Sequence, residues 1–355
     1  MHPILIASTA PYSGKSGLAL SVAGALSDRG IDAGYFKPYG AMPVTVDGVL
    51  TDQDAAYINR MLRVPAPLEA VCPVVRTEAL IQDVLSHKEG DLIGVVRNAY
   101  AACAKGREAM VVEGPSDLEQ ASAVGLSVAD VASLLDAHVL LVHRPSSTPD
   151  LPDPVICEVR HLAGRLAGVV LNWVQESQWE FTTSRVVPFL ESRGIRVFGT
   201  IPADAALSSV SVQEIVDALG GTVLCADDQL QEPVEAFMVG AMGQDKALRF
   251  FRRKARKAVI TGGDRADVQL AALETNTRAL ILTGNMPPSS LVLARAEEMG
   301  VPMVLVDTDT LTAVEKMEAL MGHTRLHDAG KAARIRQMFE SAVNVDDLIA
   351  CMRHE

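Results

Sequence analysis

The strongest chemical signal lies near the start of the chain, in a loop that ends with Gly14-Lys15-Ser16. Backbone N–H groups of such a loop and of a following helix converge on one point and favour an anion there. A lysine in this position reaches the outer phosphates of a nucleotide, and the serine hydroxyl can ligate Mg²⁺. Thr9 stands where the first glycine of the GxxxxGK[ST] pattern is expected. Because the tripeptide also occurs by chance, its placement among the elements decides the interpretation.

A predicted strand and a predicted helix flank this loop. Residues 4–7 form a short apolar run, and Leu18, Val22 and Leu26 recur at helical spacing after the loop. Strand, tight loop and helix in this order are typical of a phosphate-binding P-loop. We therefore predict that a nucleotide phosphate binds here.

Acidic residues at two places are candidate metal ligands. Glu113 closes the apolar run 109–112, which is the Walker-B position that holds a metal or its water shell. Asp52 and Asp54 open a predicted helix. Either aspartate could be a helix N-cap, and either could hold Mg²⁺, which prefers oxygen ligands.

Lys37 and Asn172 follow the predicted strands 34–36 and 166–171. The carboxyl ends of parallel strands form the edge where α/β proteins bind ligands. Lys37 could contact a ligand there or be an ordinary surface lysine before a turn. Asn172 could read a purine edge or cap a loop.

Predicted strands and helices alternate along the first part of the chain, with strands at 4–7, 34–36, 109–112, 139–142, 166–171 and 196–199. This alternation predicts an α/β fold, a doubly wound parallel sheet of the P-loop NTPase type. Aromatic residues make up 4% of the chain and hydrophobic residues 48%, so aliphatic side chains must build the core. A length of 355 residues favours two domains.

Charge and cysteine usage restrict the partners. A formal net charge of −12 argues against nucleic acid or an anionic membrane as the main partner. The five cysteines are scattered without a Cys-x-x-Cys pair, which argues against a zinc ribbon and favours a reducing compartment. We expect no signal peptide and no membrane span, since the chain enters a strand at once and lacks a long apolar run. The prediction is a cytoplasmic protein that forms homo-oligomers.

A smaller α/β domain is predicted at 233–355, separated from a first domain at 1–220 by a linker at 221–232. Its strands at 258–261, 280–282 and 303–306 each end in small polar residues at one edge. The candidate second site there consists of Asp264, Arg265, Thr283, Gly284 and Asp307.

The predicted ligand of this second site is an anionic metabolite. Arg265 offers a fixed positive fork suited to a phosphate or a carboxylate. Alternatively, Arg265 and Asp264 form only a pair that tightens the turn. Asp264 could also be a helix N-cap, and Gly284 a simple turn.

The sequence resembles dethiobiotin synthetase over about its first 220 residues. The resemblance is closer still to the synthetase-like N-terminal, non-catalytic region of long bacterial phosphotransacetylases. It rests on Thr9…Gly14-Lys15-Ser16, Phe36-Lys37-Pro38, Asp54, Val112-Glu113-Gly114, Gly168…Asn172 and Gly199-x-Ile201-Pro202.

This resemblance implies ATP on the P-loop, with Mg²⁺ held by Ser16, Asp54 and Glu113. It implies catalytic roles for Lys15 and for Lys37, the latter near the phosphates or an acidic substrate, and it places Asn172 near adenine. The implied nucleotide contacts are Thr9, Ser13, Gly14, Lys15, Ser16, Gly17, Asn172 and Pro202.

Two segments that touch substrate in the synthetases differ in this chain. Ala10-Pro11 replaces the Asp-Thr of their loop, and Pro115-Ser116 replaces a glycine-rich stretch. These departures argue against biotin synthesis, while the residues for ATP binding are retained.

Two stretches of the second half resemble a DRTGG domain, Gly263-Asp264-Arg265-Ala266-Asp267 and Ile281-Leu282-Thr283-Gly284. Asn285 stands at the second glycine of the Thr-Gly-Gly segment. In long phosphotransacetylases a DRTGG domain follows the synthetase-like domain, and the order is the same here.

The functional prediction is an ATP- and Mg²⁺-binding regulatory or sensing protein around acetyl-phosphate metabolism, with slow or absent ATP turnover. We expect the acetyl-transferring domain of phosphotransacetylases to be missing, and no cysteine lies in a Gly-x-Cys-x-Gly elbow typical of a glutaminase. The alternative is an ATP-dependent ligase, similar to dethiobiotin or cobyrinic acid synthases, acting on a small carboxylate or carbamate. A degenerate partner without nucleotide is opposed by the retained Lys15, Ser16, Asp54 and Glu113.

Overall fold

The computed structural model describes residues 1–62, 65–162, 164–322 and 329–353. The chain forms two compact units. The first comprises Met1–Ala203 and the described part of Leu326–Glu355, and the second is the described part of Asp204–Arg325.

A six-stranded sheet forms the centre of the first unit. Its strands are β1 Ile4–Ser8, β2 Ala33–Phe36, β3 Ala109–Glu113, β4 His138–His143, β5 Leu166–Val174 and β6 Val197–Pro202. The order across the sheet is β6-β5-β4-β1-β3-β2, and all neighbouring strands are parallel. The predicted doubly wound α/β fold is therefore confirmed. Residues 4–7 of the central strand are fully buried, as expected for a strand covered on both faces.

Helices connect these strands and cover the sheet. In chain order they are α1 Lys15–Asp28, α2 Gln53–Met61, α3 Leu68–Val71, α4 Glu78–Leu85, α5 Leu92–Ala104, α6 Val128–Leu134, α7 Asp153–His161, α8 Glu176–Phe181 and α9 Val187–Ser192. A π-helical turn, Thr182–Val186, joins α8 to α9. Asp52 caps α2 by accepting hydrogen bonds from the N–H groups of Asp54 and Ala55.

A β-hairpin precedes α2 and sets the position of its cap. Strands Pro43–Val46 and Val49–Asp52 pair antiparallel. The turn between them has positive φ at Asp47 (49°) and Gly48 (82°), which is the conformation that an Asp-Gly turn favours in a two-residue hairpin. A short parallel pair, Tyr39–Gly40 with Val74–Val75, lies beside it.

The second unit contains a five-stranded sheet. Its strands are β7 Thr222–Cys225, β8 Ala236–Val239, β9 Lys257–Gly262, β10 Thr277–Thr283 and β11 Met303–Leu305. The order is β7-β11-β10-β9-β8, parallel except for β7 at one edge. Its helices are α10 Val212–Leu219, α11 Gln244–Phe251, α12 Ala266–Leu273, α13 Ser290–Glu298 and α14 Thr310–Gly322.

Alternating residues of the central strands build a core on each face of this sheet. Ala258 and Ile260 of β9 pack on one face, with Val216 and Met317 among their neighbours. Val259 packs on the other face with residues of α12 and α13.

The boundaries of the units differ from the predicted domain limits. The predicted linker 221–232 contains strand β7, and α10 belongs to the second unit. A short antiparallel pair, Val210–Ser211 with Pro233–Val234, also spans the expected boundary.

Two C-terminal helices return to the first unit, α15 Ala329–Ala342 and α16 Val345–Arg353. Helix α15 packs along α1, where a Cβ added to Gly24 would lie 3.2 Å from Nη1 of Arg336. Backbone bonds tie the junction of these helices to β6, with the Asn344 N–H donating to the Phe198 carbonyl at 2.8 Å. The sequence instead predicts this segment as part of the second domain.

Within the described ranges, no helix is long and apolar enough to cross a membrane.

Candidate functional site

The loop before α1 depends on a glycine at its last position. Gly14 has a φ of 90°, and a Cβ added to it would lie 2.3 Å from Nδ2 of Asn172. The Asn172 amide donates to the Ser13 carbonyl at 2.8 Å, so β5 braces the loop. Glycine therefore meets both the left-handed conformation and the close approach. The unpaired N–H groups at the start of α1 make this point suitable for an anion.

Lys15 lies buried beneath the loop, with 8% of its surface exposed. Its Nζ donates to Oγ of Ser8 at 3.3 Å and to the carbonyl of Ser116 at 3.2 Å. Burial is the main reason that the pKa of Lys15 is lowered to about 8, against the opposing field of Glu113. Neutral oxygen partners hold the ammonium in place and leave its charge for an anion.

Ser16 lies between two carboxylates. Its Oγ is 2.8 Å from Oε1 of Glu113 and 3.0 Å from Oδ2 of Asp54. A hydroxyl has a single hydrogen and donates to one carboxylate at a time. The other contact joins two oxygens without a hydrogen unless that carboxylate is protonated. Three clustered oxygen atoms of this kind fit a hard divalent cation.

Burial changes the pKa of the Asp54 carboxyl group. Burial raises the pKa of Asp54 to about 6, Lys37 opposes the shift, and the charges of Glu113 and Asp52 add to it. A cation bound nearby would stabilise the ionised form of this buried carboxyl group.

Lys37 belongs to the same cluster. Its Nζ donates to Oδ1 of Asp52 at 2.8 Å and lies 3.1 Å from Oε1 of Glu113. Burial alone would lower the pKa of Lys37, but Glu113, Asp52 and Asp54 raise it above its usual value. The alternative of a surface lysine is therefore wrong. Three buried carboxylates face two buried lysines, which leaves a formal excess of negative charge.

Asp52 and Tyr35 complete the cluster. Asp52 is fully buried and accepts from Lys37, from the start of α2 and from the N–H of Met42. The Tyr35 hydroxyl donates to Oε2 of Glu113 at 2.7 Å, and burial followed by the Glu113 charge raises the pKa of that hydroxyl. Sequence reasoning missed Tyr35, although it shares a strand face with Lys37 two residues later. It noted Asp52 only as a cap or a ligand.

Thr9, at the start of the loop, is held by a histidine that sequence reasoning missed. Its Oγ1 lies 2.8 Å from Nδ1 of His143 at the end of β4. Burial lowers the pKa of His143 to about 4, so the ring is neutral near pH 7. Positive φ values in the loop fall on Tyr12 and Gly14, and this explains why a threonine is tolerated at position 9. The strand-end position of His143 was the available signal.

The other predicted nucleotide contacts lie around this loop. The Ser13 hydroxyl donates to the Ala10 carbonyl at 2.8 Å, and Gly17 is buried in α1. Asn172 bonds the P-loop backbone, which matches its alternative role as a loop-capping residue, and its contact with adenine stays a prediction. Pro202 is exposed at the end of β6, in register with Val174 of β5.

A cavity of about 250 Å³ lies beside the P-loop. Thr9, Ala10 and His143 line it on the P-loop side. Besides His143, the polar side chains of Gln178 and Thr182 line it and are more than nine-tenths buried. The remaining lining residues are Arg144, Pro145, Ser146, Thr148, Asp150, Leu151, Pro152, Pro154, Phe181 and Val186.

In the second unit, the predicted edge is formed by the ends of β9, β10 and β11. Gly284 donates its N–H to the Thr308 carbonyl at 3.0 Å. Gly263 packs so tightly against the Met286 carbonyl that a Cβ would not fit. The Thr283 hydroxyl lies 2.8 Å from Oγ1 of Thr310, inside the unit. The backbones of the predicted residues thus share one edge, while this side chain points inward.

The Arg265 side chain contacts Asp267 and the backbone of Met242. Its guanidinium donates to both carboxylate oxygens of Asp267 and to the Met242 carbonyl at 2.9 Å. The alternative prediction, a structural pair between Arg265 and Asp264, is therefore wrong, because Asp267 is the carboxylate that accepts from Arg265. Asp307 is exposed at the same edge.

The loop Gly14-Lys15-Ser16 connects a central strand to a helix, at the carboxyl ends of the strands of a parallel sheet. This arrangement defines a P-loop NTPase-like unit. A sequence model of the AAA domain family matches residues 2–211, and the chain belongs to this family. A model of the DRTGG domain matches residues 214–320. The predicted combination of a P-loop domain with a DRTGG domain is confirmed.

The relatives of this chain include members of both families that the sequence resembles, phosphate acetyltransferases and dethiobiotin synthetases. The phosphate acetyltransferase of Pseudomonas aeruginosa is 23% identical over 370 residues, which cover 98% of this chain and 51% of the relative. The ATP-dependent dethiobiotin synthetase of Bacillus cereus is 24% identical over 205 residues, 57% of this chain and 84% of the relative. The chain thus spans about half the length of the phosphate acetyltransferases it matches.

One solved structure that is similar to part of this chain contains the CBS and DRTGG domains of the regulatory region of Clostridium perfringens pyrophosphatase, complexed with diadenosine tetraphosphate. The TM-score is 0.29 and the identity 19%, over 40% of this chain and 69% of that chain.

Proposed function

We propose that this protein binds ATP with Mg²⁺ and acts as a regulatory or sensing module of acetyl-phosphate metabolism. The observation that carries the proposal is the buried cluster around the P-loop, in which Ser16 contacts Asp54 and Glu113 while Lys15 has neutral partners. Such a cluster offers oxygen ligands for a cation and a positive charge for an anion.

The residues fit Mg²⁺ and a nucleotide triphosphate. Ser16, Asp54 and Glu113 supply oxygen ligands, and the bound ion would screen the charge of the phosphates. Lys15 would bind the outer phosphates, and the loop N–H groups would hold the rest of the phosphate chain. Lys37 stays charged and orients Glu113 and Asp52, so it would balance the acids when the ion is absent.

We propose that ATP turnover is slow or absent, and the contacts of Glu113 and Asp52 support this. Glu113 is bonded to Ser16, Lys37 and Tyr35, and Asp52 is bonded to Lys37 and to backbone N–H groups. These two carboxylates are thus not directed as bases toward a water molecule, and positioning the nucleophile is a major requirement of phosphoryl transfer.

The link to acetyl-phosphate metabolism comes from the relatives. Phosphate acetyltransferases match nearly the full length of this chain with about half of their own. We infer that the module senses ATP for that chemistry in the cytoplasm, in keeping with five cysteines that are all free thiols. Homo-oligomer formation stays a prediction.

The test is equilibrium binding of ATP with Mg²⁺ to the parent and to Lys15→Ala. Because Lys15 supplies charge to the phosphates, we expect at least about tenfold weaker binding, or about 1.4 kcal/mol. Lys105→Ala, an exposed lysine at the end of α5, is the matched control and should bind like the parent. Identical titration curves for Lys15→Ala and the parent would refute nucleotide binding at this loop.

The cavity beside the P-loop favours a second candidate function. A ligase that activates a small carboxylate with ATP needs a substrate space next to the phosphates, and Gln178 and Thr182 offer polar groups in such a space. ATP hydrolysis or product formation above about 1 per second with a panel of short carboxylates would replace the regulatory proposal by this one. Binding of ATP without turnover would support regulation.

A further inference from the structure

Helix α7 carries three side chains with metal-ligating atoms on its last turns. Cys157, Glu158 and His161 place a thiol sulfur, a carboxylate oxygen and an imidazole nitrogen within 4.8 Å of one another. None of the three lines the cavity or belongs to the cluster around Ser16.

The helix itself brings these atoms together. Residues four apart in an α-helix lie on the same face, so Cys157 and His161 are neighbours across one turn. Glu158 reaches the same face, because its Oε1 lies 3.2 Å from Nδ1 of His161. Each of the three side chains therefore offers one ligand atom to the same point.

Exposure allows an ion to reach the group. Cys157 is exposed, and the His161 side chain keeps 62% of its surface in solvent, whereas Glu158 keeps 12%. A fixed carboxylate beside two accessible ligands reduces the ordering that binding requires.

We propose that Cys157, Glu158 and His161 form a binding site for a zinc-class divalent cation. Thiolate and imidazole ligands select Zn²⁺ and its neighbours in the transition series over Mg²⁺ and Ca²⁺. The oxygen cluster of Ser16, Asp54 and Glu113 has the opposite preference. The two proposed metal sites of the first unit therefore differ in the kind of ion that their ligands prefer.

The site leaves a coordination position free. Zn²⁺ takes four ligands, and three come from α7, so a water molecule or an external donor occupies the fourth position. The three residues lie in the C-terminal half of the helix, whose first turn at Pro154 borders the cavity.

The test is titration of tag-free protein with Zn²⁺ and, separately, with Co²⁺, in the absence of nucleotide. We expect one Zn²⁺ per chain, released protons from the thiol, and a thiolate-to-cobalt charge-transfer band. Millimolar Mg²⁺ should not displace the ion. Cys157→Ser and His161→Ala should each weaken Zn²⁺ binding at least about tenfold, and Cys157→Ser should abolish the band.

Control variants separate this site from other thiols and imidazoles. Cys351→Ser and His87→Ala remove a half-buried cysteine and an exposed histidine elsewhere, and both should bind Zn²⁺ like the parent. Glu158→Gln should weaken binding less than loss of the thiol. No Zn²⁺ binding by the parent, or equal binding by parent and both ligand variants, would overturn the proposal.

Discussion

At the scale of single residues, the P-loop site is a balance of buried charges. Lys15 and Asp54 both have pKa values moved toward neutrality, and burial is the main cause for each. Lys37 stays charged because three carboxylates surround it. Because these pKa values lie near neutrality, we expect Lys15 to take up protons and Asp54 to release protons when an anion and a cation bind.

Replacing Asp54 by asparagine should separate metal binding from folding. The carboxylate is destabilised by burial, so the melting temperature of nucleotide-free Asp54→Asn should equal or exceed that of the parent at neutral pH. The additional stabilisation that Mg²⁺ gives in the presence of nucleotide should shrink, because one oxygen ligand is lost. Thermal unfolding with and without Mg²⁺ measures both. A large loss of stability without ligand would show that Asp54 supports the fold.

The raised pKa of Asp54 also predicts a pH dependence of stability. The folded state binds a proton at about pH 6, the unfolded state near 3.8, so the folded state holds more protons between these values. The Asp54 contribution to the free energy of unfolding should therefore fall as pH rises from about 4 to about 6. Chemical denaturation across this range should show the fall in the parent and not in Asp54→Asn. Asp47→Asn, an exposed aspartate at the hairpin tip, should keep it.

At the scale of elements, the P-loop depends on contact between β5 and the loop. Gly14→Ala adds a Cβ that meets Nδ2 of Asn172 at a position with φ of 90°. We expect at least about tenfold weaker nucleotide binding, because the loop must move away from β5. Isothermal titration with ATP measures this.

Gly30→Ala is the matched control for that change. Gly30 has a φ of 75° with nothing within 4 Å of an added Cβ, so only the conformational strain of about 1–2 kcal/mol remains. This variant should lose stability and keep nucleotide affinity. If both variants bind ATP alike, the contact with Asn172 does not shape the loop.

Most strands of the two sheets could be predicted because each contains a short apolar run that a polar or small residue closes. Position after such a run also identified Lys37 and Glu113. The sequence predicts a linker where strand β7 lies, because β7 is a short, half-buried edge strand beside Gly220-Gly221 and Asp227-Asp228. The contacts of Tyr35 and His143 could not be assigned, because their partners Glu113 and Thr9 come from neighbouring strands or strand ends, and the register between strands is not written in the local sequence.

At the scale of the whole molecule, the second unit should have a ligand of its own. Arg265→Ala removes a guanidinium held by Asp267 at the edge formed by three strand ends. Phosphate, acetyl phosphate and short carboxylates should raise the melting temperature of the parent, and this shift should vanish in Arg265→Ala while unfolding stays cooperative. If the two sites are coupled, the anion must change ATP affinity by the factor with which ATP changes anion affinity.

Arg278→Ala provides the comparison. Arg278 lies at the start of β10, pairs with Glu232 and is similarly exposed. The anion-induced shift should survive in this variant. If no anion shifts the melting temperature of the parent, or if Arg265→Ala only unfolds the unit, the second site is absent.

The return of α15 to α1 has a consequence for biosynthesis. Residues 329–353 leave the ribosome after the entire second unit, although they pack in the first. A nascent chain that has just produced the P-loop and its sheet therefore keeps one face of α1 bare while more than a hundred further residues are translated, for several seconds at about 5–20 residues per second. In the cell, the P-loop unit is therefore completed only after the whole DRTGG unit has been synthesised.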